Sequence, residues 1–194
     1  MHAPHAPIGH AVFETVLGFM GIAWSEAGLT RLCLPQRSRD AVERRLLRHA
    51  AAEQPAQPEP QWVTELIASI KAYAAGEDVN FSGVPVDLSG VDEFRLAIYD
   101  AARKLAFGET TTYGELAKRA GHAGLARETG AALGANPVPL VIPCHRILAA
   151  GGKIGGFSAP GGSATKEKML AMEGVRVGPP PAAQGSFGFY VFLY

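Results

Sequence analysis

The stretch VPLVIPCHRILAAGGKIGGF, residues 138–157, constrains this chain more than any other part of it. Its apolar run, Val138 to Ile142, reads as a buried strand that breaks at Pro143, a residue with no backbone N–H to continue a ladder. A thiol, an imidazole and a guanidinium then stand in a row at Cys144, His145 and Arg146. Neighbouring side chains on a strand point to opposite faces, so Cys144 and His145 can act together only if a turn or helix start falls there. The segment LAAGGKIGGFSAPGG that follows is small and rich in glycine, without the GxGxxG or P-loop spacing of a nucleotide cradle.

The rest of the chain supplies two different patterns. Residues 11–35, AVFETVLGFMGIAWSEAGLTRLCLP, alternate apolar stretches with Gly and a Ser-Glu-Ala-Gly break, which predicts a strand, a turn and another strand of a small antiparallel sheet. SRDAVERRLLRHA, 38–50, opens on a cap signal and has helical spacing, and AAEQPAQPEP, 51–60, is a Pro-rich loop. Residues 61–76 set Trp62, Leu66, Ile67, Ile70 and Tyr73 at helical spacing and stop at Gly76. VNFSGVPVDLSG reads as an extended crossing to a second domain. From Val91 the pattern is helical, with Phe94, Ile98, Ala101 and Leu105 on one face. TYGELAKRAG and LARETGAALGAN are two short helices joined by GHAG, the outline of a helix-turn-helix. The predicted class is α+β: a small antiparallel sheet domain with helices over 1–86, a helical, winged-helix-like domain over 87–177, and a tail over 178–194.

Net charge is zero, which alone disfavours nucleic-acid binding, but its distribution is uneven. Residues 1–86 hold 7 Lys/Arg against 9 Asp/Glu, and residues 103–176 hold 10 against 5. The basic half fits either an ordinary solvated surface or loose contact with phosphates. No apolar run reaches the roughly 18 residues of a membrane span. No basic start followed by an apolar core marks a signal peptide, so the expectation is a soluble cytoplasmic protein of bacterial type with no membrane partner. Of the two cysteines, Cys33 sits in the strand-like LTRLCLP and reads as core; a disulfide to Cys144 does not suit a cytosolic chain. No Cys/His cluster has zinc-ligand spacing, and no metal or cofactor is expected.

Cys144 is either a small buried residue with polar neighbours or a nucleophile. Only a thiolate attacks well, so the second reading needs a base, His145, and a carboxylate to orient it, for which Glu173 in KEKMLAMEGV is the candidate. Asn136-Pro137 is a turn signal, and the Asn136 amide either caps the preceding helix or braces the loop that carries Cys144.

These residues resemble the 6-O-alkylguanine-DNA alkyltransferases. The resemblance rests on AN-PVPLVIPCHRI, GGKIGGFSAPGG and the KEKMLAMEG helix, and upstream on FRLAIYDAARKLAFGETTTYGELAKRAG; it is strong over 91–176 and weaker over 11–35. It implies direct-reversal repair: an alkyl group passes irreversibly from guanine O6 to Cys144 after the base is flipped out of the duplex. His145 takes the thiol proton through a water, Glu173 orients the ring, and Asn136 braces its turn. Tyr113 donates to guanine N3, so that the base leaves neutral. Arg127 fills the space of the flipped base. Ala126, Ala131, Gly134 and Ala135 give a helix small enough to approach the minor groove of double-stranded DNA, which the protein meets as a monomer. Pro143, Ile147, Gly156, Phe157 and Ser158 wall the pocket. Phe157 stands where many relatives have Tyr, the loop to Lys166 is about two residues longer than in some, and Met172 replaces a frequent His. Zinc-binding cysteines of some relatives have no counterpart. The competing readings are a non-transferring lesion binder, a helix-turn-helix regulator, and a cysteine hydrolase using the same Cys–His–acid set.

Overall fold

The computed structural model describes residues 8–47 and 59–178. The helix over 38–50 and the loop over 51–60 are therefore seen only in part, and the tail from 179 lies outside the described residues.

Three antiparallel strands, β1 (Gly9–Thr15), β2 (Gly18–Ser25) and β3 (Gly28–Gln36), form a sheet in the order β1-β2-β3. The sequence pattern suggested two strands here. The first apolar stretch folds back on itself at Val16-Leu17, because Gly18 adopts φ +120° and the Thr15 hydroxyl bonds the Gly18 carbonyl at 2.8 Å. Helix α1 (Arg39–Leu47) covers one face through Val42 and Leu46, against Ala23 and Cys33. Gly21 makes that approach possible: a Cβ there would stand 2.5 Å from Val42 Cγ1.

The other face carries Phe13, Met20, Ile22, Trp24, Leu32 and Leu34 into the main core. Helix α2 (Gln61–Ala74) meets it with Leu66, Ile70 and Tyr73 buried as the spacing predicts; Trp62 and Ile67 are only partly buried, and Val63 joins the buried face. The segment after α2 is irregular, with turns at 82–84 and 89–90 interrupting the expected extended crossing. It joins the sheet by one bridge, Leu29 with Val86, and two backbone bonds, Leu29 N–H to Pro85 and Asp87 N–H to Leu29.

Helix α3 (Glu93–Arg103) starts at Asp92, whose carboxylate accepts the Arg95 N–H at 2.9 Å. Of the expected face, Ile98 and Leu105 are buried and Phe94 and Ala101 only partly so; Tyr99 and Ala102 join the core. Helix α4 (Tyr113–Arg119) is capped by Thr112, and α5 (Ala126–Gly134) follows after a six-residue turn. Residues 111–112 (β4) pair in parallel with 147–148 (β5), and α6 (Gly162–Met172) closes the described chain.

Val138 to Ile142 is buried, but it is a tight loop and not a strand. A single bridge joins Pro139 to Ile142, the Ile142 N–H bonds Val138, and Leu140 has φ +78°. Short apolar runs are compatible with either geometry, and two prolines within six residues leave too few N–H donors for a ladder. Leu32 N–H bonds Pro137 O at 3.0 Å and holds this loop against the sheet. One continuous core therefore runs from the sheet to the helices beneath Cys144.

Candidate active site

The chain leaves its loop at Pro143 into a single 3-10 turn, Cys144–Arg146. The turn puts Cys144 and His145 on the same local structure instead of on opposite faces of a strand. Cys144 is only 8% exposed, yet it lies in the wall of a cavity of about 520 Å³ that opens to solvent. That cavity is lined by Tyr113 of α4, by Ala126, Arg127, Gly130, Leu133 and Gly134 of α5, and by Gly156, Phe157 and Ser158. The thiol, the small face of the second helix of the pair and the glycine-rich loop are thus brought together. Pro143 and Ile147 are not: Pro143 faces a separate cavity on the other side of the loop, and Ile147 is fully buried. Ala131 and Ala135 stay exposed on α5 beside the opening.

Asn136 does brace the loop. Its Nδ2 donates to Ile142 O at 2.8 Å and its Oδ1 accepts the Val138 N–H at 3.0 Å. Burial pushes the Cys144 thiol above its ordinary pKa, and the Asn136 side chain and the charge of Lys166 oppose the push without cancelling it. Cys144 therefore rests as a thiol and needs a base.

A candidate base is placed behind it. His145 is fully buried, and its Nε2 lies 2.6 Å from Glu173 Oε1. Burial, the strongest influence on Glu173, favours its neutral form; the bonds from His145, Arg146 and the Gly108 N–H outweigh it and hold the carboxyl down at about 2. An ionised carboxylate only accepts, so Nε2 carries the ring proton and Nδ1 keeps a lone pair. Nδ1 is buried and has no hydrogen-bond partner among the described residues. Burial holds the imidazole below its ordinary pKa, so the ring is neutral at physiological pH and can accept a proton.

Three groups around this relay were given no role by the sequence. Arg146 grips Glu173 with Nε at 2.8 Å and NH2 at 3.0 Å, and its NH1 donates to Leu105 O. Lys166 is fully buried, donates from Nζ to Ile147 O at 2.5 Å and to Gly156 O at 3.4 Å, and sits 5.5 Å from the Tyr113 ring centre. Burial pushes its pKa down to about 8. Tyr73 donates to Glu173 Oε1 at 3.0 Å across 100 residues of sequence. The only hint of the first two was their place in the motifs: Arg146 directly after the thiol pair, Lys166 at helical spacing with Met169 and Leu170. Tyr73 gave none beyond a hydroxyl on an apolar helix face.

A sequence model of the 6-O-methylguanine DNA methyltransferase DNA-binding domain matches residues 93–175, and one of that family's ribonuclease-like domain matches 8–88. The chain belongs to this family. A methylated-DNA–protein-cysteine methyltransferase of Methanothermobacter thermautotrophicus is 33% identical over 80% of this chain and 80% of its own length. The mouse protein of the same name is 33% identical over 88% of this chain and 83% of its own. Among solved structures, the Mycobacterium tuberculosis OGT–DNA complex superposes with TM-score 0.65 at 32% identity, covering 84% of this chain and 91% of the other. The 6-O-methylguanine-DNA methyltransferase of Pyrococcus kodakaraensis also gives 0.65, at 25% identity, over 86% of this chain and all of its own. An α+β fold with a three-stranded N-terminal sheet and a helical C-terminal part is the fold these relatives share.

Proposed function

We propose that this chain is a methylated-DNA–[protein]-cysteine S-methyltransferase that repairs DNA by taking an alkyl group from guanine O6 onto its own Cys144. The observation that carries the reading is a buried, protonated thiol in the wall of an open cavity, with a neutral His145 held by an anionic Glu173 behind it. The family membership supports the substrate.

The chemistry balances within the site. The Cys144 proton passes through a water to His145 Nδ1, and the imidazolium so formed is stabilised by Glu173. Sulfur attacks the alkyl carbon, the S–C bond forms, and the C–O6 bond breaks with its electron pair going to the base. Tyr113, on the cavity wall with its hydroxyl 3.4 Å from Gly156 O, donates a proton at N3, so that guanine leaves neutral, and the phenolate is reprotonated through water at the expense of the imidazolium. The Ser158 N–H faces O6, and the Ser158 hydroxyl, tied to Gly134 O at 3.0 Å, joins the loop to α5. The product is a stable thioether whose sulfur can no longer form a thiolate, so each chain acts once.

A guanine within a duplex cannot reach a thiol at the base of such a cavity, so the nucleotide is flipped. The exposed Arg127, at the cavity edge, fills the vacated stack. Ala126, Ala131, Gly134 and Ala135 let α5 approach double-stranded DNA from the minor groove. This reading assigns 1–86 to a sheet domain and 87–177 to the DNA-binding and catalytic domain, a division supported by the spans of the two family matches. It takes the protein to act as a monomer without cofactor. It also needs the cytoplasm, where thiols stay reduced; both cysteines are free.

Intact-protein mass after mixing with a duplex carrying one 6-O-methylguanine tests the reading. The expected gain is one methyl per chain, on the peptide that contains Cys144. Binding to the lesion without a mass change would replace transfer with lesion recognition. Neither binding nor transfer would reopen the regulator and hydrolase readings.

A further inference from the structure

The relay is completed by a residue from the other end of the core. Tyr73 lies on the buried face of α2, in the segment that matches the family's ribonuclease-like domain, and is 3% exposed. Its hydroxyl donates to Glu173 Oε1, the same oxygen that faces His145 Nε2. Its ring meets His145 edge-on, with centres 6.5 Å apart, and is itself wedged edge-on between Phe81 at 6.0 Å and Phe107 at 6.2 Å. One side chain therefore touches both members of the proton relay.

We infer that Tyr73 is a positioning residue for alkyl transfer, through which the N-terminal segment sets the basicity of His145. The inference rests on the proposed repair chemistry for its activity readout. A carboxylate oxygen that accepts several donors shares its charge among them. Glu173 Oε1 faces Tyr73, Arg146 NH2 and His145, while Oε2 faces Arg146 Nε and the Gly108 N–H; Lys166 of α6 acts on His145 at longer range. Removing the tyrosine hydroxyl leaves Oε1 more basic and concentrates its field on the imidazole, so the imidazolium is favoured. The free-base form is then lost at a higher pH. Burial and the Glu173 charge hold the phenol far above its ordinary pKa, so it stays a donor throughout.

Tyr73→Phe keeps the ring and removes only the hydroxyl. In the full chain, NMR titration of the His145 ring should show its pKa rising relative to wild type, a measurement that needs no DNA. The acid limb of the single-turnover transfer profile should move to higher pH, with the rate on that limb down about tenfold, the worth of one buried bond to a charged group. Lesion affinity should be unchanged. An unmoved His145 titration, or a rate reduced equally at every pH, overturns the inference. If Tyr73→Phe does not fold, Phe107→Leu serves instead. It loosens the ring's packing but keeps the hydroxyl, so the His145 titration should stay put, and movement would assign the effect to packing. Wild-type transfer in the same series separates the two ideas: its absence ends the repair reading alone, because the His145 titration still judges Tyr73.

Discussion

At the scale of single residues, the site resolves a conflict between access and activation. A thiol exposed enough to titrate near neutral pH would react with any electrophile. Cys144 is buried, and its pKa is pushed up, so it waits for a base and a fitted substrate. Iodoacetamide should therefore label the Cys144 peptide more slowly at neutral pH than it labels a free cysteine, as read by peptide mass. Transfer should hold its rate through neutral pH and fall only where His145 takes a proton, below the ordinary imidazole value. His145→Gln should slow transfer by about 10² to 10⁴ and remove that acid limb, because the base is gone. An unchanged limb in the variant would assign it to another group. The motif itself singled out Cys144, His145 and Glu173 as candidates, because thiol, imidazole and carboxylate have recognisable chemistry, and the fold pairs His145 with Glu173 in the turn that carries Cys144. Arg146 and Tyr73 were not legible as partners of Glu173, since nothing local in a sequence reports a contact spanning 27 or 100 residues.

At the scale of elements, the helix pair α4–α5 carries the small-residue face toward the cavity opening. The pair was legible because its break is local: two short helical runs joined by the glycine-containing GHAG turn. The loop at 138–142 was not, because periodicity cannot separate a short buried strand from a buried turn. The strand break at Gly18 was missed for a related reason, since an apolar Val-Leu at a hairpin tip looks like strand; both are exposed there, Val16 at 78%. Two substitutions on α5 separate its roles. Arg127→Ala should slow repair in duplex DNA by about 10- to 100-fold, the worth of a few kcal/mol of unstacking, and leave attack on free 6-O-methylguanine within about twofold. Ala131→Glu adds a negative charge and bulk to the exposed face. It should weaken duplex binding in an anisotropy titration while moving stability by no more than about 0.5 kcal/mol. Equal slowing of duplex and free base by the first, or unchanged affinity in the second, would remove α5 from the DNA interface.

At the scale of the whole molecule, the active-site charges also hold the two parts of the chain together. Glu173 joins α2 through Tyr73, the loop after α3 through Gly108, and the Cys144 turn through His145 and Arg146. These bonds are at full strength only while Glu173 is ionised, and the buried relay has room for His145 in its neutral form. Folding lowers both groups' pKa, so in each window the unfolded chain binds protons that the folded chain refuses, and stability rises with pH. For His145 the window lies below the ordinary 6.5, and for Glu173 between 4.5 and about 2. The stability these two groups contribute should therefore be complete above pH 6.5, decline first as His145 is forced to charge, and decline again as Glu173 protonates. Glu173→Gln should cost about 3 to 5 kcal/mol at neutral pH, because it leaves the Arg146 guanidinium buried without its counter-charge. Its stability should then change less than wild type's between pH 4.5 and 2. Urea unfolding followed by circular dichroism at several pH values measures both curves. Parallel curves below pH 4.5 would mean that the acid loss comes from other carboxylates, and that Glu173 serves the chemistry without tying the fold together.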